Sequence, residues 1–418
     1  MDTSRRIFTV VSILTLALAG CGSDDAGGGS GGSAGAAGSS SGGTSSGGTS
    51  SGGSSSGGAS SGGASGGGSG GAAGSGGSAG AGGSAGGGSW SKTTDWTSLP
   101  IPLDFGPSIA PHPVDAQTFT VLASTFSLSG TTLVAATTHD RGNSFPQATS
   151  LMDLAQTAMA EPHGIAYSKK NPENIAAALW IQGPENDPAS GGHVYYSTNG
   201  GQSFTDSSIG SQLPFNSLAF ADVRYTSDGV LAIRTDASVS FTNDGETVSD
   251  VIQTTGCSSS AAVNTFDVNP EDGSQVVVPC GNAVAVCGKT GCQTTSVTPT
   301  VVDVSYGTDG QHIGAVGRIG DQYYGLVSTD GGQTFNQNLQ SSDNVSPSWR
   351  VGWDPRPGKH TVYALLVAHL FRSSDGGATW QDVTPPQELN YVYDFVLAAD
   401  GTLVARGVFH YLLLAPAN

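Results

Sequence analysis

The sequence predicts an all-β fold: a single β-propeller of four-stranded blades, preceded by a disordered Gly/Ser-rich linker. Three observations predict it. From Trp90 onward, runs of Val, Ile, Leu and Thr are split by Gly, Asp and Asn, the signature of short strands joined by turns. Periodicity of 3.6 residues is nearly absent, and only Leu151 to Met159 is compatible with a short helix. One motif recurs and sets a unit of roughly 40 residues, the length of a four-stranded blade.

The N-terminus is a targeting segment and takes no part in the fold. Arg5 and Arg6 form a positive n-region, and Ile7 to Ala19 is an apolar stretch too short to span a bilayer comfortably. It ends in Leu18-Ala19-Gly20-Cys21, which resembles a bacterial lipobox. That resemblance implies a signal peptide over 1–20, diacylation of the Cys21 sulfur and acylation of the new N-terminus, enough for stable anchoring. Gly22 in place of Asp after the cysteine implies passage to the outer membrane, so the expected location is the cell envelope. Ser4-Arg5-Arg6-Ile7-Phe8 is also similar to a twin-arginine signal, though incomplete, leaving the export route open.

Residues 21–89 then form the lipidated cysteine and its tether. Residues 22–88 are almost entirely Gly, Ser, Ala and Thr, with loose repeats such as Ser45-Ser46-Gly47-Gly48-Thr49. Nothing there can bury a core, so nothing offsets the entropy of ordering the chain. A Gly/Ser coil of this length spans roughly 45–50 Å end to end, enough to hold a domain clear of lipid. Half of the 64 glycines of the 418-residue chain belong to this segment.

The recurring motif has the form Ser/Thr-x-Asp-x-Gly-x-Ser/Thr-Trp/Phe. It appears at Thr138–Phe145 (Asp140, Gly142, Ser144), Ser328–Phe335 (Asp330, Gly332, Thr334) and Ser373–Trp380 (Asp375, Gly377, Thr379). Ser197–Phe204 carries Asn199 in the Asp position, and a worn copy, Phe241–Val248, keeps Asn243, Gly245 and Thr247. A carboxylate there accepts hydrogen bonds from turn amides, and Gly takes a backbone angle that other residues resist. The pattern resembles the Asp-box, or BNR repeat, of sialidase-like propellers, over nearly all of residues 90–418. The resemblance implies that the boxes are structural and lie on the face opposite any site.

Units begin near Gln117, His163, Asn216, Asn264, Val301, Trp349 and Tyr391, a count of seven blades, with six or eight as alternatives. The last unit, to Ala415, has only three strands, and Trp90 to Leu103 is expected to supply the fourth and close the ring. Asp222, Asp267, Asp303 and Asp394 fall at one position of the first strand. The plain expectation is a repeated hydrogen bond between inner strands. The sharper one is an acidic collar able to hold a metal cation in the central channel.

The chain has 33 acidic against 15 basic residues, a net charge of −18, and only Asp2, Asp24, Asp25, Arg5 and Arg6 precede the folded part. So acidic a domain repels phosphate backbones, which argues against nucleic acid. Nothing in the sequence calls for a cofactor or signals oligomerisation, so a monomer is expected. Beyond Cys21, the cysteines Cys257, Cys280, Cys287 and Cys292 are even in number in an oxidising compartment. Cys287 and Cys292 flank a hairpin turn where a box has decayed, and Cys257 and Cys280 are expected on the other face, so 257–280 with 287–292 is the preferred pairing.

Propellers bind ligands on the face built by interblade loops and by loops between second and third strands. In this register that face carries Glu161, His163, Trp180, Arg234, Asp236, Arg318, Asp321, Trp349, Arg350, His369, Arg406 and His410. Arg234, Arg318 and Arg406 end second strands and, with Arg350, Trp180 and His163, are the candidate ligand contacts. Converging arginines bind carboxylates in bidentate fashion, and sialidases clamp substrate with three. Yet Phe105-Gly106-Pro107-Ser108-Ile109-Ala110 lacks the arginine of the sialidase element, and no Tyr matches the nucleophile. Glu161 and Asp187, in the longest loop, are the candidate acids for glycosidase chemistry. The favoured reading is a surface-tethered binding module for protein, glycan or extracellular polymer. The alternative is an exo-acting glycoside hydrolase of sialidase type, and the sequence leaves catalysis open.

Overall fold

A computed structural model describes residues 90–92, 105–127, 130–154, 159–182, 191–207, 209, 212–213, 222–235, 237–254, 257, 265–342, 348–386, 392–407 and 412–416. Cys21, the expected anchor, the expected tether, and Glu185, Asp187, Asp236, Tyr391 and His410 lie outside them, as does the side chain of Glu161.

Seven four-stranded antiparallel sheets form the seven blades of a β-propeller. Blades 1 to 6 occupy 105–154, 159–206, 222–253, 267–296, 300–342 and 349–382, each with strands in chain order. Blade 7 combines Val392–Leu397, Leu403–Gly407 and Leu412–Ala415 with Ser91–Lys92, which adds as the outer strand with Ser91 opposite Leu414. Closure therefore joins the two ends of the folded segment, as the three-stranded last unit requires. Trp90 anchors it, its Nε1 donating to the Val383 carbonyl at 3.3 Å.

Two local expectations fail. Blade 1 begins at Phe105–Pro111, ahead of Gln117, which lies in the following turn. Gly106 and Pro107 weaken the strand signal there, and the pairing with Phe119–Ser127 shifts register between Phe105 and Ser108. The described residues of Leu151 to Met159 are strand and not helix: Gln147–Leu154 is the outer strand of blade 1, and Met159 opens blade 2. The apolar residues that mimic a helical face there are drawn into cross-strand pairing, Met152 opposite Leu133.

The first strands of successive blades touch one another round the ring, and blade 7 returns to blade 1. Each neighbouring pair of blades encloses an apolar layer. Leu122, Leu133, Ile165 and Leu179 fill the first layer, and Val121, Val134, Val404 and Leu412 fill the layer that closes the ring. Because both faces of a blade are covered, middle strands such as Val276–Pro279 and Val362–Leu366 are buried throughout, instead of alternating.

The recurring turns share one hydrogen-bond design. The hydroxyl of the first residue donates to the carboxylate and accepts the second glycine's N–H, as in Ser328 to Asp330 Oδ1 at 2.8 Å and Gly332 N to Ser328 Oγ at 2.9 Å. The carboxylate then accepts the N–H and hydroxyl of the residue four positions on, at 2.9 and 2.6 Å for Asp330 and Thr334. These bonds hold the Asp330 and Asp375 carboxyls down at about 2. In the worn copy Asp244 supplies the carboxylate to Glu246, Thr247 and Thr242, a role the sequence pattern gave to Asn243.

The same turns join blades. A side chain on, or just after, the outer strand donates to the next blade's turn-glycine carbonyl in Thr149 to Gly201 (2.9 Å), Ser207 to Gly245, Thr295 to Gly332 (2.5 Å) and Asn338 to Gly377 (3.3 Å). Gly377 has φ 90°, and a Cβ there would meet Val327 Cγ2 of blade 5 at 2.4 Å. Two disulfides take the expected pairing. Cys257–Cys280 ties the lead-in of blade 4 to the end of its second strand, and Cys287–Cys292 bridges directly opposed residues of its outer hairpin.

Candidate functional site

The central channel is built by the first strands, whose positions can be numbered from a bond found in every blade. The residue opening the turn after the first strand (His112, Ser168, Thr226, Asn269, Gly307, Asp354, Ala398) donates its N–H to the carbonyl that closes that turn. Asp222, Asp303 and Asp394 stand four residues before it, level with Gly164 and Arg350. Asp267 stands two residues before it, level with Arg224. The four aspartates therefore occupy two adjacent layers and not one, because blade 4 carries its acid one pleat nearer the turn. β-Bulges between Pro162 and Gly164, Val301 and Asp303, and Val392 and Asp394 re-aim three of the first strands at the outer layer.

The plain expectation for the collar holds at two places. Asp303 Oδ2 accepts the Val351 N–H of the next blade at 2.7 Å, and Asp267 Oδ2 accepts Tyr306 N–H at 2.8 Å and Ser305 Oγ at 3.1 Å. Asp222 Oδ1 instead turns to Arg224 at 2.8 Å, and a Cβ at Gly164 would lie only 2.0 Å from it. Glycine is thus the residue that lets this carboxylate sit against blade 2.

The cation among these carboxylates is a side chain. Arg350 enters from blade 6 and feels Asp394, Asp303, Asp222 and Asp267 together, with Nε 3.6 Å from Asp394 Oδ1. Burial opposes its charge, and the four acids more than compensate, so the guanidinium is held above its ordinary value. Burial pushes Asp303 up to about 6 even though Arg350, the Val351 N–H, Thr265 and Arg224 all oppose the shift. Burial likewise raises Asp222 against Arg224 and Arg350. Arg224 also lies 5.8 Å from the Phe266 ring centroid. Its place two residues after Asp222, on the same side of the strand, is legible in the sequence as Asp-x-Arg.

Each of the other described candidates has its own setting. Arg406 lies over Tyr393 at 5.7 Å, and burial lowers its pKa against the opposing charge of Asp394. Arg234 is fully buried and donates to the Thr265 carbonyl. Arg318 is exposed near the end of Ile313–Ile319, and Asp321 is exposed in the turn beyond. His163 sits at the blade 2 bulge, where burial lowers it to about 4 and keeps it neutral. Trp180, opposite the backbone of Glu161, is half-buried, while His369 Nδ1 lies 3.5 Å from Asp382 Oδ2. Trp349, beside Arg350, stacks on Tyr323 at 6.1 Å. Chemically the collar is a set of four carboxyl groups whose charge is partly offset by guanidinium groups of the same protein.

No family model matches the chain, and no curated protein matches it in sequence. Among solved structures it is similar to the WD40 domain of Toxoplasma gondii coronin, at 12% identity and TM-score 0.51, over 79% of this chain and 87% of that one. A chain of the mitotic checkpoint complex also has TM-score 0.51 and 12% identity, over 78% of this chain and 93% of that one. At this identity the likeness is one of fold alone. A GH74 enzyme of Niastella koreensis aligns over 72% of this chain and 62% of that one at 13% identity, but with TM-score 0.32 it carries no argument.

Proposed function

We propose that the chain is an exported lipoprotein whose propeller, with turns of Asp-box type, serves as a binding module for a protein, glycan or extracellular polymer. Cys21 carries the lipid, residues 21–89 are the tether, and 90–418 form the propeller, held at the cell envelope on the outer membrane. The observation that carries the binding reading is the engagement of the loop-face arginines within the protein. Arg350 is shared among four aspartates, Arg234 is bonded to the Thr265 carbonyl, and Arg406 packs on Tyr393 beside Asp394. A substrate clamp needs guanidinium N–H groups turned outward to a common anion, whereas Arg350 and Arg234 reach neighbouring blades, Arg406 packs within its own blade, and Arg318 is exposed. The rigid ring that results supports a ligand-facing surface made by loops.

Two measurements test the two halves. Labelled palmitate should enter the wild-type protein in the producing cell and fail to enter Cys21→Ser, and equal labelling would remove the anchor. The full chain should leave chromogenic sialosides and a broad glycoside panel intact while retaining defined glycans or envelope polymers on an array. Turnover that disappears in Arg318→Ala would replace the binding reading with an exo-acting hydrolase.

A further inference from the structure

The face opposite the loops carries a cluster that neither the channel nor the tether explains. Asp309 and His312 lie in the turn after the first strand of blade 5, and His360 lies in the equivalent turn of blade 6. Asp309 Oδ1 is occupied by the N–H groups of Gln311 and His312, each at 3.0 Å, which fixes the carboxylate plane. Its other oxygen, Oδ2, is 2.6 Å from His312 Nδ1 and 3.8 Å from His360 Nδ1. The two imidazole rings are 4.5 Å apart and tilted by 32°, and His312 is braced edge-on by Trp353 at 5.4 Å. Among the described residues this is the one group of three metal-ligating side chains whose donor atoms all lie within 4.8 Å of one another.

We propose that Asp309, His312 and His360 form a binding site for a borderline divalent transition ion of the zinc type, clamping blade 5 to blade 6. Two imidazole nitrogens and one carboxylate oxygen are the donor set such an ion prefers, whereas calcium and magnesium take oxygen ligands. With bonds of about 2.0–2.2 Å, the donors of a tetrahedral zinc lie roughly 3.3–3.6 Å apart. The observed 2.6 and 3.8 Å bracket that spacing, so small side-chain adjustments suffice. Water completes the coordination on the exposed side, since His360 is 49% exposed.

The ion and the turn are separable by mutation, because Asp309 also caps its turn while His360 does not. Calorimetric titration of the full chain with Zn²⁺ alone should show one equivalent bound at this site, and zinc should raise the thermal midpoint. His360→Gln should weaken that binding by about tenfold or more and abolish the thermal shift. His193→Gln, in blade 2, should change neither. Absence of zinc binding, unaltered binding by His360→Gln, or equal binding of Ca²⁺ would each overturn the proposal.

Discussion

Replacing Arg350 by Met tests the channel electrostatics directly. The side chain keeps most of its length and loses only the cation that faces Asp222, Asp267, Asp303 and Asp394. Removing one partner from a buried charge pair costs about 3–5 kcal/mol, because the remaining charge is left uncompensated. Arg350 retains 30% exposure to the channel, and solvent screening places the expected loss near the low end, about 3 kcal/mol. With an unfolding entropy of about 2.1 cal/mol/K per residue over roughly 330 residues, that lowers Tm by about 4 °C. The loss has a pH signature. Asp303 is already raised to about 6 in the folded protein, above its ordinary 3.8. Its favourable contribution is therefore complete below about pH 4 and is lost as pH rises through about 6. Without Arg350 the carboxyls of Asp303 and Asp222 rise further, so the defect should be largest at pH 8 and shrink markedly by pH 5. Asp303→Asn, whose amide oxygen can still accept the Val351 N–H, should restore part of the loss in the double variant. Thermal unfolding of the three variants at both pH values is the assay. A loss at pH 8 that is under about 1 kcal/mol, or that persists undiminished at pH 5, would refute the account.

Other predictions follow from individual contacts. Ser373→Ala deletes a buried hydroxyl that donates to Asp375 and accepts from Gly377, and leaving that N–H unsatisfied should cost about 1–3 kcal/mol by urea unfolding. Loss of Cys257–Cys280, with a sequence separation of 23, should destabilise by about 3 kcal/mol on chain-entropy grounds, measured with a Cys257→Ala, Cys280→Ala double variant. Loss of Cys287–Cys292, with a separation of 5, should cost less, about 2 kcal/mol. His163, depressed to about 4, should remain neutral at pH 5.5 in an NMR titration. Its penalty should appear as pH falls from about 6.5 toward 4, and His163→Phe should remove that acid-side loss.

The blade count, the closing strand and both disulfides were legible before any coordinates because each follows from local pattern. A turn such as Ser373–Trp380 writes its own hydrogen bonds into neighbouring residues, so four repeats announce four turns. The three-stranded remainder after Tyr391 likewise implies a strand borrowed from near Trp90. Where register depends on a partner strand, the pattern misleads. Phe105–Pro111 reads weakly alone and becomes a first strand only through Phe119–Ser127, and Asn243 yields to Asp244 because turn geometry chooses the carboxylate.

What the sequence by itself determined is therefore the repeat: strand, turn, strand, with the chemistry of each turn contained within a few residues. Only tertiary structure decided what the charged side chains do, because Arg350 meets Asp222, Asp267, Asp303 and Asp394 from four other blades. The same holds for His360, which reaches Asp309 across a blade boundary. Ring closure brings such residues together through space, and their separation along the chain carries no trace of it.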